Sequence, residues 1–196
     1  MENTRYVLDA KASQFTLQAF AEGLAGIADH RPRFAVREFS GEVEFSSDKP
    51  EGGSLHLTAR TGSLEVMDEL TENDRRAIDR VLRDEVLHPQ KFPEVVFRSE
   101  RVVCSSVAQN RYRADISGTL SLHGMESQEM IETQLILSEG SLRAYGEFRL
   151  RQSGYGLTIA SVAGGLLRIK DELKFVFFFV AREQARTALK AAAARV

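Results

Sequence analysis

The sequence predicts an all-β protein, a single antiparallel barrel of eight strands with one short helix near residues 72–87 and a second at the C-terminus. Three observations predict it. Apolar and polar residues alternate with a period of two through most of the chain; the alternating runs recur between turn residues; and only two segments shift to helical spacing. One-sided alternation belongs to antiparallel sheets with one dry face and one wet face.

Arg5–Leu8 and Ser13–Phe20 read as the opening strands. Gly41–Ser46 then puts Val43 and Phe45 on one face, with Glu42 and Glu44 on the other. Leu55, Leu57 and Ala59 alternate with Ser54, His56 and Thr58, and Val95–Val103 follows with Phe97. From Ala114 to His123 the apolar set is Ala114, Ile116, Leu120 and Leu122, with Gly118 between and Asp115, Ser117, Thr119, Ser121 and His123 opposite. Glu129–Leu137 contains Leu135. Leu142, Ala144, Phe148 and Leu150 oppose Arg143, Tyr145, Glu147 and Arg149, and Glu172–Ala181 closes the series. Turn chemistry separates these runs at 48–53, Gln109-Asn110, His123-Gly124 and Glu139-Gly140.

Two segments depart from the β pattern. Between Thr71 and Leu87 the residues Ala77, Ile78, Val81, Leu82 and Val86 recur at helical spacing, and Thr71 followed by Asp74 resembles a capping box. Such a helix is expected to cover one barrel mouth in part. The tail 183–196 is rich in alanine and basic residues and reads as a terminal helix, too poor in large apolar residues to insert into a membrane. The expected organisation is therefore one barrel domain, 1–182, and a helical tail, 183–196.

Composition narrows the function classes. A formal net charge of −2 argues against a general nucleic-acid binder. The single cysteine, Cys104, excludes an intramolecular disulfide and a multi-cysteine metal cage. No stretch approaches the roughly 20 apolar residues of a membrane helix, so no stable membrane insertion is expected. Met1–Tyr6 lacks the pattern of a signal peptide, which gives a cytoplasmic expectation for the chain as written.

No catalytic constellation emerges. His30, His56, His88 and His123 are scattered without ligand spacing; His56 and His123 fall on polar phases and read as surface residues. Cys104 reads as a structural thiol at a strand end. The glycine-bearing stretch from Ser153 to Leu166, with Gly154-Tyr155-Gly156 and Gly164-Gly165, lacks a following Gly-Lys-Ser/Thr and reads as turns at a barrel mouth. No ionisable residue falls clearly on the dry phase, and neither a cofactor nor a metal is expected.

The dry face is the informative feature. It carries Phe45, Phe97, Phe148, Phe175, Phe177 and Phe179 beside Ala59, Ala114, Gly118, Ala144 and Gly146. An eight-stranded barrel is wide enough either to fill with side chains or to hold one slender ligand. Small residues favour the second outcome; alternation of large and small to fit a taper favours the first. The pattern alone leaves both open.

The ordered blocks carry a resemblance. Arg5-Tyr6-Val7-Leu8-Asp9 with Ser13-Gln14-Phe15, then Phe34 with Phe39–Phe45, Phe92-Pro93-Glu94-Val95-Val96-Phe97-Arg98-Ser99, Gly118–Gly124, Gly154-Tyr155-Gly156 and Lys170-Asp171-Glu172-Leu173 resemble the YceI-like family, in family order over residues 5–182. The resemblance implies a lipocalin-like barrel that binds a long isoprenoid chain without catalysis. Many members are exported, so the N-terminus here departs from them. Ala77–Leu87 also departs, standing where members commonly show an Arg-Asp pair and an aromatic at the lip of the pore.

The expected partner is thus an apolar lipid such as a polyprenyl chain, with homodimerisation left open. The residues expected to border that chain are Val43, Phe45, Leu57, Phe97, Ile116, Gly118, Leu120, Leu122, Leu135, Phe148, Phe175 and Phe177. Two other readings compete: an enzyme acting on such a lipid, and a structural or interaction barrel with a filled core.

Overall fold

The computed structural model describes residues 3–23, 31–48, 50–159, 161–162 and 167–184. Their strands are β1 (Thr4–Leu8), β2 (Gln14–Gly23), β3 (Arg33–Val36), β4 (Phe39–Phe45), β5 (Ser54–Arg60), β6 (Leu64–Val66), β7 (Glu94–Ala108), β8 (Arg111–Leu122), β9 (Met125–Ser138), β10 (Ser141–Arg151), β11 (Ser161–Val162) and β12 (Leu167–Glu183). All pairings are antiparallel. The ring β1–β4–β5–β7–β8–β9–β10–β12 closes through the pairing of β1 with β12, giving the expected eight-stranded barrel.

The remaining strands continue ring positions that short turns interrupt. A 3-10 turn at Ala10–Ala12 separates β1 from β2, so that both pair with the long β12. Asp9 caps that turn by accepting from the Ala12 N–H, and Ser13 Oγ accepts from Val180 N–H at 2.9 Å, which keeps the break attached to the wall. The β3–β4 and β5–β6 breaks lie side by side, where Glu38 N–H donates to Ser63 Oγ at 3.0 Å and Arg60 N–H to the Glu38 carbonyl at 2.9 Å. Period-2 patterning in runs as short as β3 and β6 is too brief to read, which is why these strands escaped the sequence.

The hairpins follow the predicted turn chemistry. His123 and Gly124 both have positive φ, 54° and 78°, and form the two-residue turn between β8 and β9; Asn110 and Gly140 take the left-handed positions of the neighbouring hairpins. The helix also lies where its capping signal puts it. Thr71 Oγ1 accepts from the Asp74 N–H at 3.2 Å at the start of α1 (Glu72–Val81), which continues as a π-helical turn, Leu82–Leu87. Of this segment only Val86 is buried; Ile78, Val81 and Leu82 are half-buried against the core.

Of the span 183–196 expected as a terminal helix, Glu183 is the last residue of β12, and 185–196 lie outside the described residues. His30 and Gly164-Gly165 also lie outside them.

Inner and outer phases match the expected register. Phe97, Leu120, Leu122 and Phe177 are buried, while Glu147 and Arg149 are exposed. One detail corrects the small-residue argument. In β7 the inner phase passes from Phe97 to Val102 and Cys104, a change of parity caused by a bulge between Ser99 and Arg101. Gly118 lies opposite that bulge. A Cβ built there would stand 2.1 Å from the Arg98 carbonyl oxygen and 2.7 Å from Ser99 Cα. Gly118 is small because a neighbouring backbone occupies the space, not because it opens room for a ligand. Cys104 is likewise placed in mid-strand, buried, and not at a strand end.

Candidate functional site: a dry double cavity

Closing the sheet turns its apolar phase inward, and two adjoining cavities remain there. Their open volumes are about 80 Å³ and 120 Å³. Phe15, Leu57, Ile131 and Phe148 border both, so these side chains form the waist between them. The larger cavity lies at the helix end of the barrel, where Leu87 from the π-helical turn and Leu157 reach into it. The other lies toward the opposite end, beside Leu8, Phe45, Leu142 and Ala181.

The sequence-predicted residues sort cleanly between them. Val43, Phe45, Ile116, Leu135 and Phe177 line the far cavity. Phe97, Leu120, Leu122 and Phe175 line the cavity at the helix end. Leu57 and Phe148 belong to the waist, and Gly118 lines neither. Phe15, Ile131 and Phe179 are the main additions. Phe15 meets Phe179 edge to face at 5.5 Å, and Phe148 stacks on Phe175 at 4.8 Å with the rings 6° from parallel. Phe15 and Ile131 lie in strands predicted from the sequence; Ile131 shares the phase of Leu135 on β9, and Phe15 that of Leu17 and Ala19 on β2.

A polar arrangement bordering the cavity at the helix end corrects the expectation of a dry phase free of ionisable groups. Glu129 falls on the inner phase of β9 together with Ile131, Thr133 and Leu135, and it borders the cavity at the helix end. Its Oε1 accepts from the Tyr155 hydroxyl at 2.6 Å. Tyr155 is 2 % exposed and sits in the 3-10 turn Gln152–Tyr155 that follows β10. Gly156, at φ 61°, ends that turn in the left-handed region. Ser153 fastens it to β12 by donating from both N–H and Oγ to Asp171, 2.7 Å each, which holds the Asp171 carboxyl below the usual carboxylate range. Burial, then the hydrogen bond to Glu129 and its charge, push the Tyr155 phenol well above the usual tyrosine range. The glycine-flanked tyrosine was visible in the sequence as a turn; its carboxylate partner, 26 residues away, was not.

His123 also differs from the surface reading. The strand ends at Leu122, and the positive-φ turn folds the imidazole back onto Phe92, 4.2 Å between ring centroids, with His88 at 5.7 Å. Its Nε2 is out of solvent and without a hydrogen-bond partner. Burial is the first cause that holds its pKa below the usual histidine value, and the nearby His88 and Lys91 charges act in the same direction. His56 is exposed. Among the described residues, no group of three or more His, Cys, Asp and Glu is placed to hold a metal ion, and no helix is long and apolar enough to cross a membrane.

Comparison with known proteins agrees with this geometry. The crystal structure of Burkholderia cenocepacia BcnA superposes with a TM-score of 0.69 at 17% identity, covering 88% of this chain and 98% of that one. A polyisoprenoid binding domain from Saccharophagus degradans, implicated in plant cell wall breakdown, gives 0.65 at 15% identity, covering 91% and 98%. The Campylobacter jejuni YCEI protein gives 0.61 at 14% identity, covering 78% and 85%. At these identities the likeness is one of fold. A search of curated protein sequences finds no match. The model of the YceI-like domain matches residues 6–181, nearly the whole barrel, and on that match the chain belongs to the YceI-like domain family.

Proposed function

We propose that this protein binds a slender apolar chain of the polyisoprenoid class along the axis of its barrel, without transforming it. The observation that carries the reading is the pair of adjoining cavities, lined almost throughout by aliphatic and phenylalanine side chains and joined at a waist of four apolar residues. Such walls offer dispersion contacts and removal from water, the interactions an isoprenoid chain gains from, and few polar handles. The polyisoprenoid binding domain of similar fold supports the ligand class.

Each buried methylene equivalent contributes about 0.8 kcal/mol, so a chain of several five-carbon units binds tightly even after it has been ordered. The open volumes are modest, so loading requires the waist side chains to shift rotamer. Affinity is therefore expected to rise with chain length and to respond weakly to salt. Titration with polyprenols of increasing length at two ionic strengths tests this. An affinity that is flat with length, or that collapses with salt, contradicts it.

A further inference from the structure

The barrel wall is paired unevenly. β8 and β9 are registered without a break from Arg111↔Ile136 to Leu122↔Met125, and β10 pairs with β12 along its whole length. Between β9 and β10, however, the ladder runs only from Ser141↔Ser138 to Gly146↔Thr133 and stops. Glu147–Arg151 of β10 and Met125–Glu132 of β9 face each other unpaired.

The side chains follow the parting. Beyond Gly146, the outward groups of each strand bond away from the seam. On β10, Arg149 pairs with Glu172 and Glu147 with Lys174, both on β12. On β9, Glu132 pairs with Arg113 at 2.9 Å, Glu126 with Ser121 at 2.7 Å and Gln128 with Thr119 at 2.9 Å, all on β8. Among the described residues, no ion pair crosses the parted stretch, and Tyr155–Glu129 bridges only its far end. A groove of about 720 Å³ follows the seam outside, with Met130 61 % and Val107 64 % exposed on it.

Phe148 joins outside to inside. It lies on the inner phase of β10, yet it is only half-buried, because it borders the outer groove as well as both inner cavities. One phenylalanine ring is therefore the thickness of the wall there. At the barrel ends, Leu87 and Leu157 line the cavity nearest the helix, and Phe45, beside the other cavity, packs edge to face on Tyr112 at 5.2 Å.

We propose that the parted β9–β10 seam is a lateral portal through which the apolar chain enters and leaves the barrel, with Phe148 as its gate. The inference rests on the binding of an apolar chain proposed above. An unpaired strand edge costs little to open further, since no ladder hydrogen bonds are lost, and rotation of one side chain on its own strand clears the path.

Continuing the register past Gly146↔Thr133 sets Arg149 opposite Met130. In a Cys104→Ser background, Met130→Cys with Arg149→Cys, joined by a short bis-methanethiosulfonate linker that loses a sulfinate at each cysteine thiolate and is cleaved by reduction, ties the seam shut. Gly62→Cys with Arg83→Cys, joined in the same way, ties the π-helical turn to the rim, where Arg83 Nη2 donates to the Gly62 carbonyl at 3.3 Å. Stopped-flow uptake and release of a fluorescent polyprenyl probe are then compared before and after reduction. The portal predicts that the seam bridge slows both rates by about tenfold or more, leaves equilibrium affinity unchanged and is reversed by reduction, while the helix bridge alters neither rate. Binding at unaltered rates across a bridged seam, or slowing by the helix bridge instead, overturns the portal alone. Failure of the unbridged protein to bind the probe at all overturns the apolar-cargo reading, and the portal with it.

Discussion

The hydroxyl of Tyr155 reaches back from the turn after β10 to the carboxylate of Glu129 on β9, 2.6 Å away, at the end of the one seam where these two strands do not pair. The bond replaces missing backbone pairing with a single side-chain contact. Tyr155→Phe removes the donor and leaves a half-buried carboxylate short of a partner, at an expected cost of about 1–3 kcal/mol. Chemical denaturation of the variant checks this; an unchanged midpoint means that the phenol adds nothing to the stability of the carboxylate.

Alkaline pH probes the same contact. Because the Tyr155 pKa is raised in the folded state, its contribution is fully present below the ordinary tyrosine value of about 10 and is lost as pH rises above that value. The thermal midpoint should fall more steeply above that pH in wild type than in Tyr155→Phe. Parallel curves would remove the phenol from the account.

His123 acts at the other end of the scale. Its pKa is depressed in the folded state, so the stability linked to its neutral form is present above the ordinary histidine value of about 6.5 and declines as pH falls below it. His123→Asn keeps a residue that tolerates the left-handed backbone at φ 54°. The variant should show a flatter loss of stability between neutral and mildly acidic pH, measured by urea unfolding. An identical slope would assign the acid sensitivity elsewhere.

Gly118 tests the reading of the bulge. With the Arg98 carbonyl oxygen 2.1 Å from where a Cβ would stand, even Gly118→Ala must push β7 and β8 apart. The expected loss is about 1–3 kcal/mol, seen as a lowered thermal midpoint. A neutral substitution would show that the bulge yields freely. Leu57→Phe is the opposite kind of change. It adds volume at the waist, where a half-buried side chain borders both cavities, and should leave a folded barrel with weakened binding of long chains but not of short ones.

Much of this was legible in the residues. Alternation in β8, β10 and β12 set the inward faces, and the Thr71–Asp74 cap set the start of α1. Eleven of the twelve residues expected to border the ligand line the cavities, all but Gly118. What escaped depends on long-range placement. The parity change in β7 comes from a bulge that only its pairing with β8 reveals, and the role of Gly118 follows from it. The inner phase of Glu129 follows from Ile131 and Leu135 on its own strand, but its partner Tyr155 lies in a turn 26 residues on. The seam between β9 and β10 belongs to how the two strands are placed against each other, which no single strand encodes.

Whether the barrel interior binds an apolar chain or is a loosely filled core decides the proposed function. Native mass spectrometry of the gently purified protein, followed by organic extraction and lipid analysis of the same sample, tests it most directly. Binding of an apolar chain predicts a mass above that of the 21.9 kDa chain by one discrete ligand, which extraction releases as a polyisoprenoid and which the stripped protein takes up again in one-to-one ratio. Protein from its native host that carries no lipid, and that takes up no polyprenyl chain of any length when stripped, contradicts it.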